Sequence, residues 1–507
     1  MSGEPYQIIG RNALFSILRA GVAFPVMLVL VPIIIGSIGS EAYGVWVLVQ
    51  VVSSYIGLAD LGIGATITKY TAEYEARREY GSIQELLGTC IVLYGILGAL
   101  LCLVVAWGNE WIIRTLFHGT GEDFQELPML LVISAVVFAV NLTFGVFLSI
   151  LNGLQRMDVA NGIGIIVILS NFVASILLLH LGYRVGGLVA ANAMASAIGI
   201  VLSTVSVSRL APYLNLMPHR FLFSLVAIRR VWSFSAYGAV GTIMAMVYFQ
   251  VDKLFISYFL GLTTLAYYDV SHRLVSLICT GFVAMIAPVM PAVSRVCAVS
   301  GEKKAREIFV NVFRCVASMA APMFMAMAIF AEVVIRVWQG GEQESSVLAL
   351  RFLSCTYLIS MLTAPGAFVL TGMALLRYQL IGVMIASISV VALNLFLVPI
   401  FQLQGVLMAG LLAYGLAAIY QCHVLSVVMK PDILKEIVGS AAVPMTVALI
   451  ILLVMKKVGG VIDAEEGRLF FSLVGFSVLY VTWLVSSRRL DEMLGFVPAW
   501  RQFRGLS

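Results

Sequence analysis

The chain has 507 residues, of which 31 are lysine or arginine and 26 are aspartate or glutamate, giving a formal net charge of +5. Charged residues make up only 11% of the chain and hydrophobic residues 61%, and the mean hydropathy is +1.02. Soluble domains carry about 25% charged residues, so this chain has too few charges to cover a water-facing surface. The composition indicates a polytopic membrane protein and excludes a cytosolic enzyme, a secreted disulfide scaffold and a disordered chain.

Fourteen apolar stretches of the sequence are long enough to cross a bilayer, which requires about 20 mostly apolar residues. Such stretches must be helical, because lipid offers no hydrogen-bond partners to the backbone. The first is predicted to be a span, since it is too long for a signal peptide and lacks a small-residue cleavage site. We therefore predict an all-α polytopic fold with about 14 transmembrane helices, at residues 12–38, 43–68, 85–107, 127–151, 159–181, 185–207, 231–258, 264–292, 309–330, 347–371, 380–400, 404–428, 439–456 and 468–486.

Basic residues divide unequally between the two sets of predicted loops. The N-terminal side and the loops after even-numbered spans carry 20 of them, and the opposite loops carry 7. Cytoplasmic loops are enriched in lysine and arginine, so both termini are predicted to be cytoplasmic. The other four basic residues fall within predicted spans: Arg19, Arg273, Arg314 and Arg351.

Landmarks of spans 1–6 recur in spans 7–12 at an offset near 222 residues. The segment Glu110–Arg114 (EWIIR) recurs as EVVIR at Glu332–Arg336, and Leu151–Gly153 has a counterpart in Leu370–Gly372. Because each repeat holds an even number of spans, we predict two six-helix lobes related by a pseudo-two-fold axis along the membrane normal, around a central cavity. The predicted lobes are residues 1–230 and 231–430, and residues 431–507 hold two further helices and a tail.

Arg19 and Arg273 are the basic residues that lie deepest within predicted spans. A charge in the bilayer costs at least about 2.5–3.5 kcal/mol, so it usually faces a wet cavity or a partner. Both arginines lie on polar stripes, and Asp269 precedes Arg273 by four residues, so that pair is partly self-neutralised. We interpret the two arginines as lining a cavity for an anionic substrate. The alternative is structural ion pairing or snorkelling near span ends.

Several other polar residues join this candidate site. Asp60 lies on a polar stripe of span two, Asp252 and Lys253 lie near the outer end of span seven, and His272 can titrate near neutral pH. Arg314 and Arg351 lie within two turns of span boundaries, where structural packing is the favoured interpretation. The predicted substrate-binding set is Arg19, Arg273, Asp60, Asp252, Lys253, Asp269, Arg314 and Arg351. The predicted ion-coupling set is Asp60, Asp252, Asp269 and His272.

The sequence offers no motif for catalysis or cofactor binding. It contains no G-x-x-x-x-G-K-[ST], HExxH or G-x-S-x-G motif and no His/Cys metal cluster. The seven cysteines are mostly in apolar runs without CxxC pairing, so we interpret them as small hydrophobic residues. We predict no catalytic residue, no metal and no cofactor.

The opening of the chain carries a set of short motifs: Asn12 at the start of span one, Gly39-x-x-x-Tyr43-Gly44, Asp60-Leu-Gly62 and the charged loop from Lys69 to Arg78. In these residues the chain resembles the bacterial polysaccharide transporter family. This family contains the O-antigen and exopolysaccharide repeat-unit flippases, in the superfamily of the lipid II flippase and the multidrug and toxin extrusion (MATE) exporters. Span number, repeat and loop placement extend the resemblance over essentially the whole chain.

This resemblance implies translocation of undecaprenyl-pyrophosphate-linked oligosaccharides across the bacterial inner membrane, as in lipopolysaccharide or exopolysaccharide synthesis. It implies H+ or Na+ as the driving ion, membrane lipids as neighbours and a polysaccharide polymerase and chain-length proteins as possible partners, with no nucleic acid. One alternative is a MATE-type cation or drug antiporter, although such sites rely on embedded acids and span one carries Arg19 instead. A membrane-embedded transferase is a second alternative, disfavoured by the short loops.

Overall fold

A computed structural model of the chain describes residues 4–60, 62–116, 122–215, 224–286, 289–290, 293–294, 297, 302–340, 343–429, 432–459 and 465–486. The described residues form fourteen α-helices and one 3-10 helix, with no strand, so the all-α prediction is confirmed. The helices are α1 (Glu4–Ile56), α2 (Ile63–Arg77), α3 (Tyr80–Leu116), α4 (Glu122–Gly153), α5 (Met157–His180), α6 (Arg184–Leu210), α7 (Leu225–Leu260), α8 (Leu262–Ile286), α9 (Glu302–Ile329), α10 (Ala331–Gln339), α11 (Glu344–Gly372), α12 (Leu376–Met429), α13 (Ile433–Gly459) and α14 (Glu465–Ser486).

Two of these helices, α1 and α12, are too long for a single membrane crossing. Each consists of two helical segments joined at a backbone break. In α1 the break is at Gly39, with φ of 84°, and in α12 it is at Gln402, with φ of 51°. Ten described helices are long and apolar enough to cross a membrane, α1 and α12 among them. The polytopic membrane architecture follows from these ten helices.

Predicted span two differs from the structure in its continuity. The sequence predicts one helix over residues 43–68, but α1 ends at Ile56, a 3-10 helix covers Gly57–Asp60, and α2 begins at Ile63. Gly62, directly before α2, has φ of 75°, in the left-handed region that favours glycine. The glycine-containing segment after Ile56 therefore separates a helix that hydrophobicity alone predicted as continuous.

The internal repeat is visible in the turns that follow α4 and α11. The amide of Arg156 bonds to the carbonyl of Leu151 at 2.9 Å, and Leu375 bonds to Leu370 in the same way at 2.9 Å. Both turns contain a non-glycine residue in the left-handed region, Gln155 at φ 58° in one and Ala374 at φ 61° in the other. The two turns have the same backbone geometry in different sequences.

Each turn also packs on its own half of the chain in the same manner. A Cβ built on Gly153 would lie 2.8 Å from the Thr68 carbonyl oxygen, and one built on Gly372 would lie 2.8 Å from the Met290 carbonyl oxygen. Thr68 and Met290 are 222 residues apart, the offset found in the sequence motifs. The close glycine contacts therefore support the predicted repeat at the level of individual backbone atoms.

The chain divides into two compact units, Met1–Ala266 and Tyr267–Ser507. The first unit contains α1 to α7, and a buried core in it is formed by side chains of α2, α3, α4 and α6, including Ile67, Leu87 and Phe147. In the second unit α13 and α14 pack against α9 through Leu452 and Tyr480. The repeat pattern assigns α7 to the second lobe, whereas packing groups α7 with the first unit.

The segment after α6 is fixed to the start of α3 and the end of α2. Gln84 and the backbone of Asn215 exchange two hydrogen bonds, at 2.7 and 2.8 Å, and the Tyr213 hydroxyl donates to Glu75 at 2.5 Å. Burial, the hydrogen bond to Glu75 and the charge of Glu75 raise the pKa of Tyr213 above its ordinary value. The raised pKa keeps the phenol protonated, and able to donate to Glu75, above the pH at which an ordinary tyrosine ionises.

Candidate functional site

Arg19 lies on an exposed face of α1, against the backbone of α5. A Cβ built on Gly164 would lie 2.7 Å from Arg19 Nε and 2.9 Å from Arg19 Cζ, so the guanidinium occupies the space that a side chain would fill. One turn earlier, Asn161 of α5 donates a hydrogen bond to the Ser16 hydroxyl at 2.9 Å. Within the described residues, no carboxylate pairs with Arg19. Its positive charge is available to an anion.

Arg273 has a different environment, on α8. Its Nε lies 2.5 Å from Oδ2 of Asp269, whose side chain is fully buried. The i,i+4 pairing expected from the sequence is present. The two deep arginines are therefore not equivalent, because one carries a neutralising carboxylate and the other does not.

His272 lies beside this ion pair in a group of aromatic side chains. Its Nε2 is 2.9 Å from the Tyr357 hydroxyl, and its ring stacks on Tyr268 with centroids 5.9 Å apart. Tyr357, on α11, also contacts Tyr414 of α12 at a centroid distance of 6.3 Å. The structure brings together three predicted residues, Asp269, His272 and Arg273, and adds the tyrosines that sequence reasoning missed.

Asp60 lies at the start of α2, where its carboxylate accepts two hydrogen bonds. The Gly64 amide donates at 3.0 Å, and the Tyr94 hydroxyl of α3 donates at 2.5 Å. A carboxylate is favoured at a helix N-terminus, where backbone amides are unpaired and the helix dipole is positive. Asp60 therefore stabilises the start of α2, a role that the polar stripe in the sequence did not reveal.

Asp252 and Lys253 lie on α7, in the same unit as Arg19 and Asp60. Asp252 is close enough to Tyr55 of α1 for an electrostatic interaction, and Lys253 is only 7% exposed. A lysine so deeply buried requires partners that satisfy its charge, and both residues have further interactions in the structure. The roles of Asp252 and Lys253 in substrate binding, and of Asp252 in ion coupling, stay predictions.

Arg314 and Arg351 connect helices of the second unit. Arg314 Nε donates to the Ser440 hydroxyl at 3.2 Å, which joins α9 to α13. Arg351 of α11 pairs with Glu332 of α10 at 2.5 Å. These contacts favour the structural interpretation of both arginines that the sequence analysis preferred.

No metal site accompanies these residues in the part of the chain that the structure describes. No group of three or more His, Cys, Asp or Glu side chains could hold a metal there, and none of the seven cysteines forms a disulfide. A cavity of about 360 Å³ lies in the second unit between α9, α11, α12 and α13, and its lining includes Phe309, Leu362 and Met445. This lining is almost wholly apolar, so the cavity suits a hydrocarbon chain better than a sugar.

Comparison with known proteins gives matches over most of the chain. Residues 9–297 match the family described as polysaccharide biosynthesis protein. An uncharacterized membrane protein of Methanocaldococcus jannaschii, MJ1068, is 22% identical over 388 residues, covering 74% of this chain and 75% of the relative.

The fold is similar to those of solved transporters. The lipid II flippase MurJ in an inward closed conformation superposes with a TM-score of 0.71 at 13% identity, over 95% of this chain and 99% of that one. An outward-facing multidrug resistance MATE family transporter gives 0.60 at 15% identity, over 85% and 98%. A MOP superfamily transporter from Pyrococcus furiosus gives 0.60 at 14% identity, over 84% and 97%. At these identities the similarity establishes the fold.

Proposed function

Because the chain belongs to the polysaccharide biosynthesis protein family, we propose that it flips lipid-linked oligosaccharides across a bacterial inner membrane. The proposed substrate is an undecaprenyl-pyrophosphate-linked repeat unit, moved from the cytoplasmic to the outer leaflet by alternating access. The proposed driving force is a gradient of H+ or Na+. The similarity in fold to a lipid II flippase supports this class of substrate.

The observation that carries the proposal is the cationic, exposed side chain of Arg19 within a membrane-spanning helix. A charge at this depth is costly unless it serves a wet pathway or a ligand. The arginine fork matches phosphate oxygens in a bidentate geometry, which a pyrophosphate headgroup offers. The apolar cavity in the second unit would suit part of the lipid chain.

A MATE-type cation antiporter is the competing function for the same fold. Such a protein would present an ionised acid to its cargo, but Asp269 is neutralised by Arg273 and Asp60 is engaged by Tyr94 and Gly64. These two acids are therefore less available to a cationic cargo. Uptake assays with an organic cation and with a lipid-linked oligosaccharide, in the same proteoliposomes, separate the two functions.

Replacing Arg19 with alanine is expected to lower the rate of flipping by about tenfold or more. Hydrogen bonds to charged groups contribute about 1.5–3 kcal/mol, and 1.4 kcal/mol corresponds to a factor of ten. The measurement is appearance of the labelled oligosaccharide in the opposite leaflet of proteoliposomes, at equal amounts of reconstituted protein. Arg114→Ala is the matched control, since Arg114 is exposed and pairs with Glu110 on its own helix. Wild-type rates in Arg19→Ala would refute the proposed anion site.

Replacing Asp60 with asparagine is expected to alter the pH or sodium dependence of flipping. Asp60 belongs to the predicted ion-coupling set, and asparagine removes its charge while keeping an acceptor for Gly64. Tyr94→Phe is the control, because it removes one hydrogen bond and leaves the charge. If both variants keep the wild-type ion dependence, Asp60 serves only the start of α2.

A further inference from the structure

Gly164 lies inside helix α5, where glycine is less favourable than alanine. It is the eighth residue of α5, about 10 Å from the start of the helix at 1.5 Å per residue. A glycine inside a helix costs roughly 0.5–1 kcal/mol relative to alanine. The space that this glycine leaves open is filled by the side chain of Arg19.

The atoms that face Gly164 define how the guanidinium lies. The three heavy atoms nearest to a Cβ built on Gly164 are Nε, Cζ and Cδ of Arg19, at 2.7, 2.9 and 3.1 Å. The two terminal nitrogens are therefore farther from Gly164 than these atoms. The stem and the inner part of the guanidinium rest on α5, and the terminal fork extends past it.

A hydrogen bond fixes the register of α1 and α5 next to this contact. Asn161 donates to Ser16 at 2.9 Å, and the next pair, Gly164 and Arg19, lies three residues later on each helix. A three-residue step keeps side chains on the same helical face. The hydrogen bond thus aligns the glycine with the arginine.

We propose that Gly164 is a positioning residue for Arg19, holding its guanidinium on α5 so that its terminal nitrogens bind a phosphate oxygen of the substrate headgroup. This inference rests on the proposed function, because it concerns how the proposed anion site is oriented. Arg19 supplies the positive charge, and the absence of a side chain at residue 164 of α5 sets the orientation of its guanidinium. Any side chain at residue 164 displaces the guanidinium without removing its charge.

The substitution that tests this proposal is mild for the fold. An alanine Cβ at residue 164 conflicts only with the end of a flexible arginine, which can turn away. Gly162→Ala is the matched control, since Gly162 is on the same helix and a Cβ there meets nothing within 4 Å. Both variants exchange a helical glycine for alanine, so they share any gain in helix stability.

The experiment measures flipping of an undecaprenyl-pyrophosphate oligosaccharide in proteoliposomes over a range of substrate concentrations. We expect Gly164→Ala to raise KM about tenfold with a maximal rate within about twofold of wild type, as for loss of one charge-assisted hydrogen bond. Gly162→Ala should leave KM unchanged, and both variants should melt within a few degrees of wild type. In an Arg19→Ala background, Gly164→Ala should change KM no further, because the two residues act through one group.

Three outcomes distinguish the failure of this inference from the failure of the proposed function. A KM for Gly164→Ala equal to that for Gly162→Ala, with transport lowered in Arg19→Ala, would overturn the positioning role and leave the anion site standing. A Gly164→Ala effect that persists in full without Arg19 would show that the glycine serves packing alone. Full transport by Arg19→Ala would overturn the anion site and the positioning role together.

Discussion

Replacing Gly44 with alanine is expected to destabilise the folded chain strongly, lowering both its yield and its melting temperature. A Cβ at this position in α1 would lie 2.1 Å from the carbonyl oxygen of Leu262 and 2.7 Å from its carbonyl carbon, at the start of α8. Backbone atoms cannot turn away as a side chain can, so the two helices would have to separate. Overpacking a core by a methylene costs about 1–3 kcal/mol, and this contact between backbones belongs at or above the upper end of that range.

The measurement is the yield and melting temperature of the detergent-extracted protein on size-exclusion chromatography. Gly36→Ala is the control in the same helix, since a Cβ at residue 36 meets nothing within 4 Å. This control should be neutral or slightly stabilising, because alanine is the better helix former. Equal melting temperatures for the two variants would contradict the close contact between Gly44 and Leu262.

Replacing Asp269 with alanine is expected to destabilise the second unit by about 3–5 kcal/mol. Removing one partner of a buried ion pair leaves the other charge uncompensated, and that cost exceeds the net stability of the intact pair. Asp269 is fully buried, while the side chain of Arg273 is 24% exposed, so partial hydration of Arg273 places the effect toward the lower end. The measurement is thermal unfolding of the purified variant in detergent.

Two companion variants isolate the charge effect. Asp269→Leu combined with Arg273→Met should recover most of the lost stability, because an apolar pair replaces the buried charges. Glu110→Ala removes an acid from another i,i+4 pair, Glu110–Arg114, whose side chains are 79% and 81% exposed. That control should change stability by no more than about 0.5 kcal/mol. If the double variant melts no higher than Asp269→Ala, burial of an unpaired charge is not the cause.

The sequence predicted much of the fold because hydrophobic length and short repeated motifs are local signals. The repeat found from Leu151–Gly153 and Leu370–Gly372 appears in the structure as two turns with the same hydrogen bonds. Span two was predicted as continuous because its residues are apolar enough, and the break depends on the φ of Gly62, which hydropathy does not report. Hydropathy thus predicts the length of a helix, whereas the position of a helix break depends on backbone dihedral angles that only the structure gives.

In the candidate site, too, contacts within one helix could be predicted from the sequence, whereas contacts between helices could not. The pairing of Asp269 with Arg273 was predictable because residues four apart meet on one helix. The contacts of Arg19 with Gly164, Asp60 with Tyr94 and His272 with Tyr357 join different helices, and no spacing in one sequence reports them. The sequence analysis did not single out Asn161, Gly162 or Gly164, because nothing in the sequence reports that this start of span five contacts Arg19 and Ser16.

The repeat also bears on how this chain arose. Gly39 and Gly261, 222 residues apart, have φ of 84° and 86°, so this offset pairs Arg19 with Gly241, and Asp269 and Arg273 with Val47 and Val51. A dimer of identical half-length chains would carry the same residue at both members of each pair. An unpaired cation in one copy and a neutral ion pair in the other require two copies of different sequence, which a single chain containing both repeats provides. The two covalently joined copies can therefore carry unlike electrostatic roles.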